Sequence, residues 1–291
     1  MSYRITIPCN PANPVNYLAC CGLFDLLARM DSGALGWWQS KAPVAFQLES
    51  EVTDKEFAAT VLHTLCSEGC WKFVHSAGGE TPVRVVAEFA PPGKPAFAVS
   101  LDWWLETAEQ DGTIRHKSAW KMYAGQQTIE GIVGDMLTEA AKLRTTLRAG
   151  TVLAGLLDQS AEMTGRFGFD PRASRNALDV GYSSNDLHMP ISTFVFTELL
   201  ATFGLYSFFP ARIGPVGRLQ STRGWQGTDD GEGEKGFAYC LWPDPLPMVL
   251  ARLAAARSSF TGARTLFAPR AMRKNYSNLT LARTTQSTVT L

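Results

Sequence analysis

The sequence predicts an α+β fold, a mostly antiparallel sheet packed with several helices, and three observations lead there. Apolar residues fill 45% of the 291 positions, enough for a real core, while charged residues fill only 19% against a usual share of roughly 25%. Strand-like and helix-like stretches follow one another without the regular alternation that builds parallel α/β sheets. Turn chemistry, as at Pro91-Pro92-Gly93, sits between strand-like runs.

Tyr3–Ile7 alternates like a short strand. Asn13-Pro14 supplies an N-cap followed by proline at the first helical position. Tyr17, Cys20, Cys21, Phe24, Leu27 and Met30 then recur on one helical face, and Gly33 is the expected stop. Val44–Leu48 reads as a strand, and Thr53 caps a helix to about Glu68. Val83–Phe89 and Phe97–Trp104 read as strands joined by the Pro91-Pro92-Gly93 turn. Gln127–Arg148 is a helix with Ile129, Ile132, Met136, Ala140 and Leu143 as its core stripe, and Ser192–Phe208 is another. Gly236–Leu241 resembles a strand and Pro247–Ala256 a helix. The run from Gly227 to Gly236, rich in Asp, Glu and Gly, reads as an exposed hairpin loop. A loose boundary near 150–165 divides an N-terminal α+β half, 1–160, from a C-terminal half with a basic tail, 161–291.

Prolines 8, 11 and 14 interrupt the N-terminus where a signal peptide would be apolar. Ile191–Phe209 comes nearest to a membrane span, yet it carries Glu198 near its middle and reads as a buried helix. The six cysteines, at 9, 20, 21, 66, 70 and 240, read as reduced, mostly buried thiols in a cytoplasmic protein. His63, Cys66, Cys70 and His75 invite a zinc reading, but the first three follow one helical face and the cysteine spacing is unusual, so neither metal nor other cofactor is expected. Asp229-Asp230-Gly231-Glu232 lacks the calcium-loop pattern. His116 lies between Arg115 and Lys117, and His188 follows Asp186 by two residues; neither comes with a nucleophile motif, and no catalytic residue is assigned.

Charge is distributed unevenly. The chain is neutral overall, with 27 residues of each sign, but residues 1–110 carry a balance of −5 and residues 111–291 of +5. After Asp244 there is no acid, while Arg252, Arg257, Arg264, Arg270, Arg273, Lys274 and Arg283 follow. Such a one-sided tail points to a polyanionic partner. Two segments mix cations, aromatics and amides as nucleic-acid contacts require: Arg115, Lys117, Trp120, Lys121, Tyr123, Gln126 and Gln127, then Arg264, Arg270, Arg273, Lys274, Asn275, Tyr276 and Asn278. Cations neutralise phosphates, glutamines bond to base edges and rings stack on splayed bases. A third region, Arg166 to Asp186, mixes Arg172, Arg175 and Asn176 with Asp170, Asp179 and Asp186, and reads as an internally paired turn.

Specific strings also resemble a known family. Asn13-Pro14 with Leu18-Ala19-Cys20-Cys21-Gly22-Leu23-Phe24 resembles the N-terminus of small CRISPR-associated proteins of type I-U (now I-G) effector systems. Leu101-Asp102-Trp103-Trp104 and Lys121-Met122-Tyr123-Ala124-Gly125-Gln126-Gln127 look like two further family blocks, and Phe169 to Ser183 like a third. The resemblance implies a large-subunit-like component of a Cascade-type complex, partnered by other subunits, guide RNA and target double-stranded DNA, and not by a membrane. In such complexes base pairing reads sequence, while protein grips backbone and a short flanking motif. The alternatives are a nuclease, processing CRISPR RNA or metal-dependent, and a purely structural interaction protein.

Overall fold

Asn13 marks where the chain turns from strand to helix, and its side chain shows why. Its Oδ1 accepts from Val15 N at 2.9 Å, Pro14 occupies the first helical position, and α1 runs over Pro14–Met30. The computed structural model describes residues 2–39, 43–75, 82–105, 120, 123, 127–147, 152–172, 191–208, 225–226, 236–256, 262–273 and 276–284. Within them β1 (Tyr3–Pro8), β2 (Leu35–Gln39) and β3 (Ala45–Ser50) form an antiparallel sheet in the order β1-β3-β2. Its register sets Ile5 opposite Leu48 and Ile7 opposite Phe46, so one face of the sheet is buried on α1. Helix α1 ends at Met30 with Asp31 as its C-cap, three residues before Gly33. It is buried nearly all round and not on one stripe, because a second helix covers the side away from the sheet.

Thr53 closes a capping box with Glu56 and opens α2 (Asp54–Leu65). The helix stops at Leu65, short of the expected Glu68, and a 3₁₀ turn over Glu68–Cys70 leads into β4 (Trp71–His75). This strand pairs with β5 (Pro82–Phe89), and β5 with β6 (Phe97–Leu101), as a three-stranded antiparallel sheet. β6 ends at Leu101, before the expected Trp104, because Leu105 N bonds back to Asp102 O at 2.9 Å and turns the chain. Trp103 and Trp104 consequently plug the core, each 1% exposed.

Helix α3 (Ile129–Arg144) is capped by Thr128, whose hydroxyl accepts from Gly131 N. The short α4 (Val152–Leu156) precedes β7 (Ala161–Met163), which pairs with β8 (Ile191–Thr193). Residues 191–193 are thus strand, where a helical start is expected, and α5 runs over Val195–Ser207. Among the described residues no helix is long and apolar enough to cross a membrane.

The C-terminal part adds β9 (Trp225–Gln226), β10 (Gly236–Leu241), β11 (Leu246–Pro247), α6 (Met248–Ala256), β12 (Arg264–Arg273), β13 (Tyr276–Leu279) and β14 (Arg283–Thr284). The antiparallel order is β13-β12-β10-β9, with β14 also on β12. β11 joins the first sheet beside β2, and Trp242 Nε1 donates to Gly36 O at 2.7 Å. Trp242 stacks on Phe208, while Tyr17 stacks on Trp38 and lies against Tyr239, so one aromatic core runs across both halves of the sequence. The loop expected at 227–236 lies outside the described residues except for Gly236, the first residue of β10.

Helices α1 and α5 cross at backbone contact. A Cβ on Gly22 would stand 2.2 Å from Leu200 O, and one on Gly204 would stand 1.9 Å from Leu18 O. Neither obstacle is a movable side chain, so the helices would have to separate. Gly22→Ala and Gly204→Ala are each expected to lower unfolding free energy by about 2–3 kcal/mol or more. Gly134→Ala in α3, where a Cβ meets nothing within 4 Å, should raise it by roughly 0.5–1 kcal/mol. Urea denaturation of the three variants checks this, and a neutral Gly204→Ala would refute the close crossing.

Candidate nucleic-acid interface

The two cation-rich segments meet the fold differently. In the first, Arg115, Lys117, Lys121 and Gln126 lie outside the described residues. Trp120 is fully buried, edge-on to Phe169 and Phe237, and so anchors this segment to the core. Tyr123 is 7% exposed and burial pushes its hydroxyl pKa up. A stacked base needs an open ring face, so Tyr123 is a core residue and not the stacking platform the sequence led us to expect. Gln127 is half-buried; its Nε2 donates to Thr164 O at 3.2 Å, while Thr128 caps α3.

The second segment is mostly strand. Arg264, Arg270 and Arg273 lie along β12, while Lys274 lies outside the described residues. Arg264 is exposed and Arg270 half-buried, its pKa lowered by burial. Both share the strand parity of buried Leu266 and Ala268, so they bracket the core-facing row at its two ends. Arg283 of β14 is exposed, with its guanidinium 5.8 Å from the Phe267 ring centre. Exposed Arg252 sits on α6. The acidic N-terminal half has partners of its own: Glu49 pairs with Arg4 and Glu88 with Lys72. Arg283 pairs with Phe267 and so lies on the opposite face of the sheet from Arg264, which leaves an exposed cation on each side.

The third region holds a buried network of polar contacts. The Glu198 carboxylate, 0% exposed on α5, accepts four backbone N–H groups, from Phe167 and Gly168 at Oε2 and from Phe169 and Asp170 at Oε1, at 2.9–3.2 Å. Gly168 has φ +76°, which turns the loop so that its successive amides converge on one carboxylate. Asp170 accepts from Asn13 Nδ2 at 2.9 Å and from Arg172 Nη2 at 2.7 Å. Arg172 Nη2 reaches further, to Asn16 Oδ1 and Leu157 O at 3.0 Å each, and its guanidinium lies 3.6 Å from the Phe194 ring centre. The internally paired turn expected here is present for Asp170 and Arg172; Arg175, Asn176, Asp179, Asp186 and His188 lie outside the described residues, as does His116.

Burial pushes the Glu198 pKa up to about 7, with the Asp170 charge adding to the rise and the amide bonds opposing it. Its neighbour Arg166 is held down by desolvation, and Arg166 Nη1 has no hydrogen-bond partner among the described residues. The sequence signal for this site was the single carboxylate in an apolar helix; its partners are main-chain amides, which carry no sequence signature.

The His/Cys group does not sit on one helical face, because α2 ends at Leu65. Exposed His63 remains on the helix, Cys66 is its C-cap with Sγ donating to Ala140 O, and His75 Nε2 lies 3.1 Å from Glu130 Oε1. Burial raises the Cys66 thiol to about 11. Among the described residues no three His, Cys, Asp or Glu side chains gather as metal ligands.

Comparison with protein families, with characterised proteins and with solved structures finds no match.

Because the folded chain holds the Glu198 proton more tightly than the unfolded chain, whose ordinary value is 4.5, this residue stabilises most below pH 4.5. Its contribution falls as pH rises to about 7, by up to about 3 kcal/mol. Urea unfolding of the wild type and of Glu198→Gln should therefore show the wild type's advantage shrinking by about 2 kcal/mol between pH 5.5 and 8. An advantage that grows with pH would contradict the assignment.

Proposed function

We propose that this chain is a non-catalytic subunit of a CRISPR type I RNA-guided surveillance complex of Cascade type, contributing to target DNA or guide RNA binding. The observation that carries the reading is the C-terminal sheet, whose strands β12 and β14 carry Arg264, Arg270, Arg273 and Arg283 in a stretch of sequence with no Asp or Glu after Asp244. A stretch of chain with cations and no Asp or Glu suits a backbone of dense negative charge, and it suits recognition by shape better than by base identity. The resemblance of Asn13–Phe24, Leu101–Trp104, Lys121–Gln127 and Phe169–Ser183 to type I-U (I-G) proteins supplies the particular complex. The expected partners are the other subunits, guide RNA and target duplex.

Within this reading the exposed Arg264 and Arg283 hold phosphates, whereas half-buried Arg270 belongs partly to the sheet's own packing. The Glu198 cluster has a supporting role, since it fixes the loop that carries Phe167 and Phe169 beneath Trp103 and Trp120. Flanking-motif recognition falls to the Lys117–Gln127 segment.

Binding of a short RNA and a DNA duplex across a salt series tests the proposal. For the pair Arg264→Ala and Arg283→Ala, the slope of log K against log salt should fall by roughly 2 units, with little change in melting temperature. A tagged copy should co-purify with guide RNA. An unchanged slope, or cleavage of repeat RNA by the purified chain alone, would overturn the reading.

A further inference from the structure

Three cysteines gather where β1 hands over to α1. Cys20, fully buried on α1, donates its S–H to Cys9 Sγ at 3.6 Å, and Cys9 is half-buried in the loop that leaves the strand. Cys21 is buried on the neighbouring helical position and faces the Tyr17 hydroxyl. One thiol of the close pair is therefore reachable from solvent while the other is enclosed and already aimed at it.

We propose that Cys9 and Cys20 form a peroxide-sensitive dithiol that closes reversibly to a disulfide. Cys9 Sγ attacks hydrogen peroxide, takes one oxygen as its sulfenic acid and releases water. Cys20 Sγ then displaces that oxygen, which leaves as a second water carrying the Cys20 proton. Two thiols lose two electrons and the peroxide gains them. The existing S–H···S contact already sets the resolving sulfur against Cys9 Sγ, and displacement follows once the oxygen lies on the far side of that sulfur. Burial and the bond to Cys9 hold the Cys20 thiol protonated, which assigns first attack to Cys9.

The position gives the bond leverage. Residues 9–13 form a junction: Pro11 O accepts from the Tyr239 hydroxyl at 2.6 Å, Ala12 O from Ala282 N at 2.7 Å, and Asn13 reaches Asp170. Drawing Cys9 onto α1 pulls on contacts that seat the C-terminal sheet and the Glu198 loop together.

The test uses the full chain, treated with hydrogen peroxide while folded, then unfolded, alkylated with iodoacetamide and digested with trypsin. All three cysteines fall in one peptide, Ile5–Arg29. Three alkyl groups on that peptide should drop to one after peroxide and return to three after dithiothreitol. Cys21→Ser should go from two to none, and Cys9→Ser should keep both. Retention of all three groups in the wild type, conversion of Cys9 to a sulfinic acid that dithiothreitol does not reverse, or loss of both groups in Cys9→Ser would each overturn the proposal.

Discussion

A buried carboxylate, to which no side-chain cation is bonded among the described residues, holds this fold together. Glu198 takes up the amides of Phe167, Gly168, Phe169 and Asp170, and Asp170 in turn takes up Asn13 and Arg172. Through that chain of bonds the start of α1, the end of α4, the loop at 166–172 and helix α5 become one unit. Left without these acceptors, four loop amides would be desolvated with no partner, at a cost of roughly 1–3 kcal/mol each. The close crossing of α1 and α5 at Gly22 and Gly204 depends on the same arrangement, because both helices are tied at this end.

The cationic sheet is built onto that unit. Tyr239 of β10 reaches Pro11 O, Ala282 beside β14 reaches Ala12 O, and Trp242 reaches Gly36 O. Arg264 and Arg283 are thereby held on formed strands, Arg264 on the face of Leu266 and Ala268 and Arg283 on the face of Phe267. For the proposed phosphate contacts, side chains carried on formed strands lower the ordering cost of binding. The same set of bonds also explains why the junction at residues 9–13, where a thiol pair sits, bears on both the carboxylate loop and the sheet.

Sequence reasoning recovered the parts where local chemistry decides the structure. Asn13-Pro14, the Thr53 cap and the strand Gly236–Leu241 stand where the residues placed them. It missed β2, whose Gly36 has little strand preference of its own and which forms because β3 and β11 flank it. It read 264–273 as a charged binding strip; the alternation of Leu266 and Ala268 with half-buried neighbours makes it a ten-residue strand in spite of Pro269. Tyr123 and Trp120 looked like stacking aromatics and are core, since residue type alone does not separate a ring that meets a base from one that meets Phe169 and Phe237. Glu198 was visible as an anomaly, but the loop amides it serves were not.

Native-state hydrogen exchange is the most direct test of the central claim. Residues 167–170 belong to no helix or strand, so ordinary loop amides there would exchange rapidly. If Glu198 holds them as described, the amides of Phe167, Gly168, Phe169 and Asp170 should exchange as slowly as those in the middle of α5. Rapid exchange of these four amides while α5 stays protected would contradict the account.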